Sequence, residues 1–197
     1  MVTRSGDARV LAKPHEVSAM IDVLKQFEEI PAQYPAVPST LSVAAAALDS
    51  AMIWARIEDY IAHRFTEREV VWTLLGNGGD QFHPRLTPVV SSVADLWTGE
   101  AWEAVTLLQG PLGVCLPADG TYRITAQVGG GDVPAPVSEA FRRLAEYLAA
   151  DPGTAGASST SVSIGPIEET LDRAPTWIAR AMQHSGAADL LRTYRRA

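Results

Sequence analysis

Between residues 39 and 65 the apolar positions recur at helical spacing. Leu41, Ala45, Leu48, Met52 and Ala55 form one row, and Ile53, Ile57 and Ile61 run beside it. Together they predict one long helix, capped by Ser39 just after Pro38 and ending near His63 or Phe65. Arg56, Glu58, Asp59 and Arg64 mark its wetter side. A second stripe, Val17, Met20, Ile21, Leu24 and Phe27, predicts another helix over residues 15–29. Pro31, Pro35 and Pro38 lie too close together for a helix between them, so residues 30–38 read as an extended linker.

From Glu69 to Val128 the pattern changes to short alternating runs separated by turn residues. Residues 70–75 are β-branched and aromatic, 88–97 read as a second strand, and 105–108 and 112–116 as short strands around Gly110-Pro111. Asp119-Gly120 signals a hairpin turn. After it Tyr122, Ile124, Ala126 and Val128 face one way, and Thr121, Arg123, Thr125 and Gln127 the other. Gly129-Gly130-Gly131-Asp132 stops this strand. A helix follows, with prolines 134 and 136 at its start and Val137, Phe141, Leu144 and Leu148 as its apolar stripe. Pairs four residues apart, Glu139 with Arg143 and Arg142 with Glu146, support it.

Beyond a small, polar stretch at 153–161, residues 161–164 alternate like a strand. Pro166 and Pro175 each start a short helix, and Trp177, Ile178, Ala181 and Met182 supply an apolar face that ends near Gly186. The expected fold class is therefore α+β: a helical bundle core with an inserted small antiparallel β-sheet or open barrel and an extended C-terminal arm. The expected organisation is an N-terminal arm, helix and linker over 1–38, a main domain over 39–186 with its β insertion at about 69–128, and an arm over 187–197.

Composition narrows the function. With 47% hydrophobic residues the 197-residue chain can build a sizeable core. Its net charge of −7 argues against general nucleic-acid binding, which needs clustered Lys and Arg, but suits a surface that DNA slides past. Cys115 is the single cysteine, so no intrachain disulfide and no cysteine-based zinc site is expected; its apolar setting predicts a small buried residue. No signal-peptide pattern and no membrane-spanning run is read, and a cytoplasmic site of synthesis is expected.

Candidate chemistry is sparse. His15, His63, His83 and His184 are not spaced as metal ligands, and none has an acid placed for a relay. His63 is expected to complement the dipole at the end of the long helix. Glu168-Glu169 suit a helix first turn better than a catalytic pair. The glycine run at 129–131 lacks the phosphate-loop patterns, and two prolines remove donors from the helix behind it. The five tryptophans, Trp54, Trp72, Trp97, Trp102 and Trp177, are spread over helices and strands and read as core or interface anchors. No catalytic residue, cofactor or metal is expected, and the chain is not expected to be an enzyme. The tail is the exception to this blandness. Its last six residues carry three arginines and no acid. Either it packs on its own domain, or it is an arm in which Leu190, Leu191 and Tyr194 fill a groove on a partner while Arg192, Arg195 and Arg196 pair with acids.

The stretch GTYRITAQVGGGDVPAPVSEAFRRLAEYL, residues 120–148, resembles the head–tail connector (adaptor) family of long-tailed phages and gene transfer agents. Gly120, Tyr122, Arg123, Thr125, Gly129, Val133, Pro134, Val137, Ala140, Leu144, Ala145 and Leu148 match that family's pattern, while Ala126 and Ala149 replace its tyrosines. The helix at 44–64 and the ending Leu190-Leu191-Arg192-Thr193-Tyr194-Arg195-Arg196 are also similar, with Thr193 where the family has proline. Residues 1–38 do not match. The resemblance implies a structural ring subunit, typically in twelve copies, between the portal and a downstream stopper or tail protein in the neck of a virion assembled in the host cytoplasm. It implies portal docking through the C-terminal arm (Leu190, Leu191, Arg192, Tyr194, Arg195, Arg196) and a bore through which DNA passes without specific binding. Another neck component, such as a stopper or tail-completion protein, is the alternative.

Overall fold

The computed structural model describes residues 21–150 and 179–195. The expected strand at 161–164, the helices beginning at Pro166 and Pro175, and Trp177 lie outside them.

The architecture is built mainly from β-structure. Strands β1 (Asp22–Glu28), β2 (Arg68–Gly76), β8 (Gly120–Val128), β4 (Val89–Trp97) and β5 (Trp102–Val105) form, in that order, a five-stranded antiparallel sheet. A second, three-stranded sheet has the order β3 (Gln81–Phe82), β7 (Gly113–Cys115), β6 (Leu108–Gly110). The helices are α1 (Val43–Ala46), α2 (Ser50–Ile61), α3 (Ala135–Ala149), α4 (Ala181–His184) and α5 (Ala187–Leu191), followed by a single 3-10 turn at Arg192–Tyr194.

The expected helical bundle core is therefore corrected: among the described residues strands dominate, and only α2 and α3 exceed five residues. Two local misreadings account for this. Of the stripe, Val17 and Met20 lie outside the described residues, while Leu24 and Phe27 belong to edge strand β1, where they and Val23 are exposed and not buried as a helix face would be. Backbone pairing with β2, more than forty residues away in sequence, decides this, and no local pattern reports such a partner. The long helix at 39–65 is also interrupted. Ser42, not Ser39, caps α1, its hydroxyl accepting from the Ala45 amide at 3.2 Å, and Asp49 caps α2 by accepting from the Ala51 amide at 2.9 Å. The row Leu41, Ala45, Leu48, Met52 and Ala55 crossed the break without a gap, because Asp49 and Ser50 fall at positions a continuous helix could also have exposed.

Strand β8 is central and follows its alternation. Tyr122, Ile124, Ala126 and Val128 are buried, opposite Leu74, Trp72, Val70 and Arg68 on β2. With Phe82, Leu86, Ala94 and Leu116 they make a sheet core. Asp119-Gly120 is not a hairpin turn, because β7 and β8 lie in different sheets. Asp119 instead accepts from the Gly78 amide at 2.8 Å. The Tyr122 hydroxyl donates to the Ala118 carbonyl at 2.7 Å and accepts from its amide at 3.1 Å, fixing the crossing between the sheets.

A separate helical core holds Ile53, Trp54, Ile57 and Ile61 of α2, Val137, Phe141 and Leu144 of α3, and Leu191 of α5. The Trp54 and Phe141 rings are 4.8 Å apart. Each such apolar side chain contributes about 1.5–3 kcal/mol of burial. Pro134 and Pro136 start α3 as expected, and Gly186 (φ 73°) ends α4. His63 does not cap a helix: α2 stops at Ala62 (φ 55°), while His63 bridges to Thr87 and packs on Phe65 at 4.6 Å between ring centres.

Candidate functional site

Two cores meeting at one seam raise the question of how they are joined. Glu58 from α2 and Arg64, both assigned by sequence to the wet side of a helix, are buried there together with Arg68 of β2; Asp59 alone stays exposed. The Glu58 carboxylate accepts from the Phe65 amide at 2.8 Å and from the Arg68 guanidinium at 2.8 Å. Arg68 also reaches Glu28 of β1 at 3.1 Å and lies over the Tyr34 ring. Arg64 grips both oxygens of Glu28, at 2.5 and 2.8 Å, and Asp59 at 2.9 Å.

Burial works against ionisation of Glu28, yet the Arg64 contacts outweigh it and hold its carboxyl below the ordinary value. For Glu58 burial wins and pushes the carboxyl up, against the Phe65 amide and Arg68. The seam ties an edge strand to the helices: Arg64 and Arg68 are each held by two protein acids, while the Arg64 Nη1 is buried without a hydrogen-bond partner among the described residues. Sequence reasoning missed it because ion pairs spanning up to forty residues leave no local signature.

The C-terminal segment predicted as a docking arm lies against the helical core. Leu191 is fully buried among α3 and α5, and Leu190 and Tyr194 pack partly against the same core. Arg192 and Arg195 are exposed, and the Arg195 guanidinium sits 4.9 Å from the centre of the Tyr60 ring. Arg196 lies outside the described residues. The structure thus brings Leu190, Leu191 and Tyr194 together on the protein's own surface and leaves two arginines facing outward.

The sheets carry the other notable surface. Trp97 and Trp102 pair at the tip of the β4–β5 hairpin, 5.3 Å between ring centres, with Arg123 stacked on Trp102 and bonded to Asp95 at 2.7 Å. Trp54 and Trp72 are core residues, as their type suggested. Cys115 is half-buried on β7. The glycine run is a sharp turn: all three glycines have positive φ, and a side chain at Gly129 would collide with the Thr66 carbonyl. Among the described residues no three His, Cys, Asp or Glu side chains are grouped as metal ligands, and no helix is long and apolar enough to cross a membrane.

No protein-family model matches the chain, and no curated protein does. Solved structures do. A chain in the neck of a native GTA particle, computed with C12 symmetry, aligns with a TM-score of 0.50 and 18% identity over 88% of this chain and 96% of its own. A chain in the virion of a native gene transfer agent particle aligns at 0.49 and 17%, and one in the neck of an empty GTA particle, computed with C6 symmetry, at 0.43 and 16%. The chain therefore shares its fold with a protein found in the neck of a gene transfer agent particle.

Proposed function

We propose that this chain is a structural subunit of the neck of a tailed phage-like particle: a head–tail adaptor that forms a ring, in about twelve copies by analogy with its neighbour, between the portal and the next neck protein. The observation that supports this most is the fold correspondence over 96% of a chain from a C12-symmetric neck. The matched residues at 120–148 agree with it: Tyr122 locks the crossing between sheets, and Val137, Ala140, Leu144 and Ala145 pack α3 on α2 and α5. These positions preserve a shape, as expected of a protein that works by offering surfaces.

In this reading Leu191 anchors the C-terminal segment, while Arg192, Arg195 and Arg196 face the portal and pair with its acids. The net charge of −7 keeps the bore from holding DNA. The test is electron microscopy of the purified chain mixed with portal. A ring stacked on the portal is the expected result. Failure to bind portal, with binding to a tail terminator instead, would reassign the chain as a stopper. Turnover of a substrate would overturn the structural reading altogether.

A further inference from the structure

The five-stranded sheet has two open margins. At one end β1 pairs with β2 alone among the described residues, and it exposes Val23 (46%), Leu24 (54%) and Phe27 (56%). Toward the other end, β5 covers only Ala94–Trp97 of β4, because the chain leaves at Thr106 to build the second sheet. The half of β4 at residues 89–93 bonds to β8 on one side and to no described strand on the other. Val89, Val90 and Val93 are exposed there at 39%, 58% and 67%.

Beside this bare margin the two sheets diverge around a groove of about 460 Å³, floored by Trp72, Phe82, Ile124 and Ala126. It continues, through Ser92, Gln109 and Val114, into a second hollow of about 360 Å³. An unpaired strand edge beside an apolar groove is the geometry that accepts an added strand. Exposed edges with bulky apolar residues also pair unless something blocks them.

We propose that the β1 edge of one copy pairs with residues 89–93 of β4 in the next copy, joining the sheets of neighbours into one continuous band around the ring. This rests on the ring reading above. The occupant is a second copy for a geometric reason: the two margins lie toward opposite ends of one sheet. The contact is therefore head-to-tail, the kind that repeats and closes into a ring. One alternate set of β1 side chains enters the groove, and the other extends the open sheet face on which Leu75 and Val93 are exposed. With strands about 4.8 Å apart, four strands per copy along this path (β1, β2, β8 and β4) and twelve copies give a band of radius about 37 Å, leaving room for a bore.

The test uses cysteine pairs in a Cys115→Ser background. Val93→Cys is combined in turn with Leu24→Cys, Lys25→Cys, Gln26→Cys and Phe27→Cys, so that no register is presumed. Portal-bound assemblies are then oxidised. At least one pair gives a ladder of covalent species beyond the dimer, whereas each cysteine alone stops at dimer and Leu108→Cys in place of Val93→Cys gives no ladder. Assemblies of unchanged mass without a ladder from any pair overturn the strand pairing and leave the ring reading standing. Protection of the amides at 89–93 on assembly without a ladder assigns the groove to a different partner and equally overturns it. A chain that remains monomeric with portal overturns both.

Discussion

Glu58 and Arg68 meet 2.8 Å apart at the seam between the helical and sheet cores, and both are buried. Removing one leaves the other buried with less compensation, Arg68 with Glu28 at 3.1 Å and Glu58 with only the Phe65 amide at 2.8 Å, so each residue depends on the other. Glu58→Ala or Arg68→Ala alone should lower stability by about 3–5 kcal/mol. The double variant Glu58→Leu/Arg68→Met should lose clearly less than the sum, because it leaves neither charge orphaned. Urea denaturation of the four proteins measures this; additive losses would show that the pair is not coupled.

Ser42 and Glu146 clasp α1 to the end of α3. The carboxylate accepts from the Ser42 amide and hydroxyl, each at 2.7 Å, and these bonds lower its pKa from the ordinary value of 4.5. A carboxyl lowered in the folded state contributes stability that is complete above its unfolded pKa and fades as pH falls through the folded one. Glu146→Gln should therefore lower Tm at pH 7, and the gap to the parent should narrow as pH drops below 4.5. A gap of constant size from pH 7 to acid would rule out the charged clasp.

Gly129 turns the chain from β8 toward α3 with φ 124°, hard against the Thr66 carbonyl. Gly129→Ala should cost on the order of 2 kcal/mol, since strain of 1–3 kcal/mol attends such backbone even without a collision. Gly131 has φ 92° but open space around it, so Gly131→Ala should cost less. Thermal unfolding of the two variants ranks them.

The tail separates anchoring from docking. Leu191→Ala opens a cavity in the helical core and should cost about 2–5 kcal/mol. Arg192→Glu with Arg195→Glu changes exposed groups and should leave Tm within about a degree or two, since such surface changes fall within about 0.5 kcal/mol. The same double variant should bind portal at least tenfold more weakly in a pull-down titration. Unchanged binding would remove these arginines from the interface. Simple deletion of the tail is the poorer test, because it also removes Leu191 from the core.

Much of the central structure was legible from sequence. β8 sits between two strands with one face buried, so its period of two shows in Tyr122, Ile124, Ala126 and Val128. α3 carries its own start signal in Pro134 and Pro136 and its own stripe in Val137, Phe141 and Leu144. In both cases every cue lies within the element. The resemblance at 120–148 was readable for the same reason. The proposed docking arm was visible only as composition: arginines among leucines at one end.

What the chain's own pattern determined is thus where short-range periodicity and turn chemistry act: the β region, α3 and the apolar or polar character of each segment. Tertiary structure alone decided that Leu24 and Phe27 belong to an exposed strand, that the helix at 39–65 breaks at Asp49, and that Glu58, Arg64 and Arg68 are interior. The helix break rests on the Asp49 cap, which the apolar spacing does not report, whereas the strand and the buried ion pairs share one reason. Strand pairing and buried ion pairs draw their energy from partners tens of residues away, and the same local spacing is compatible with either outcome until those partners arrive.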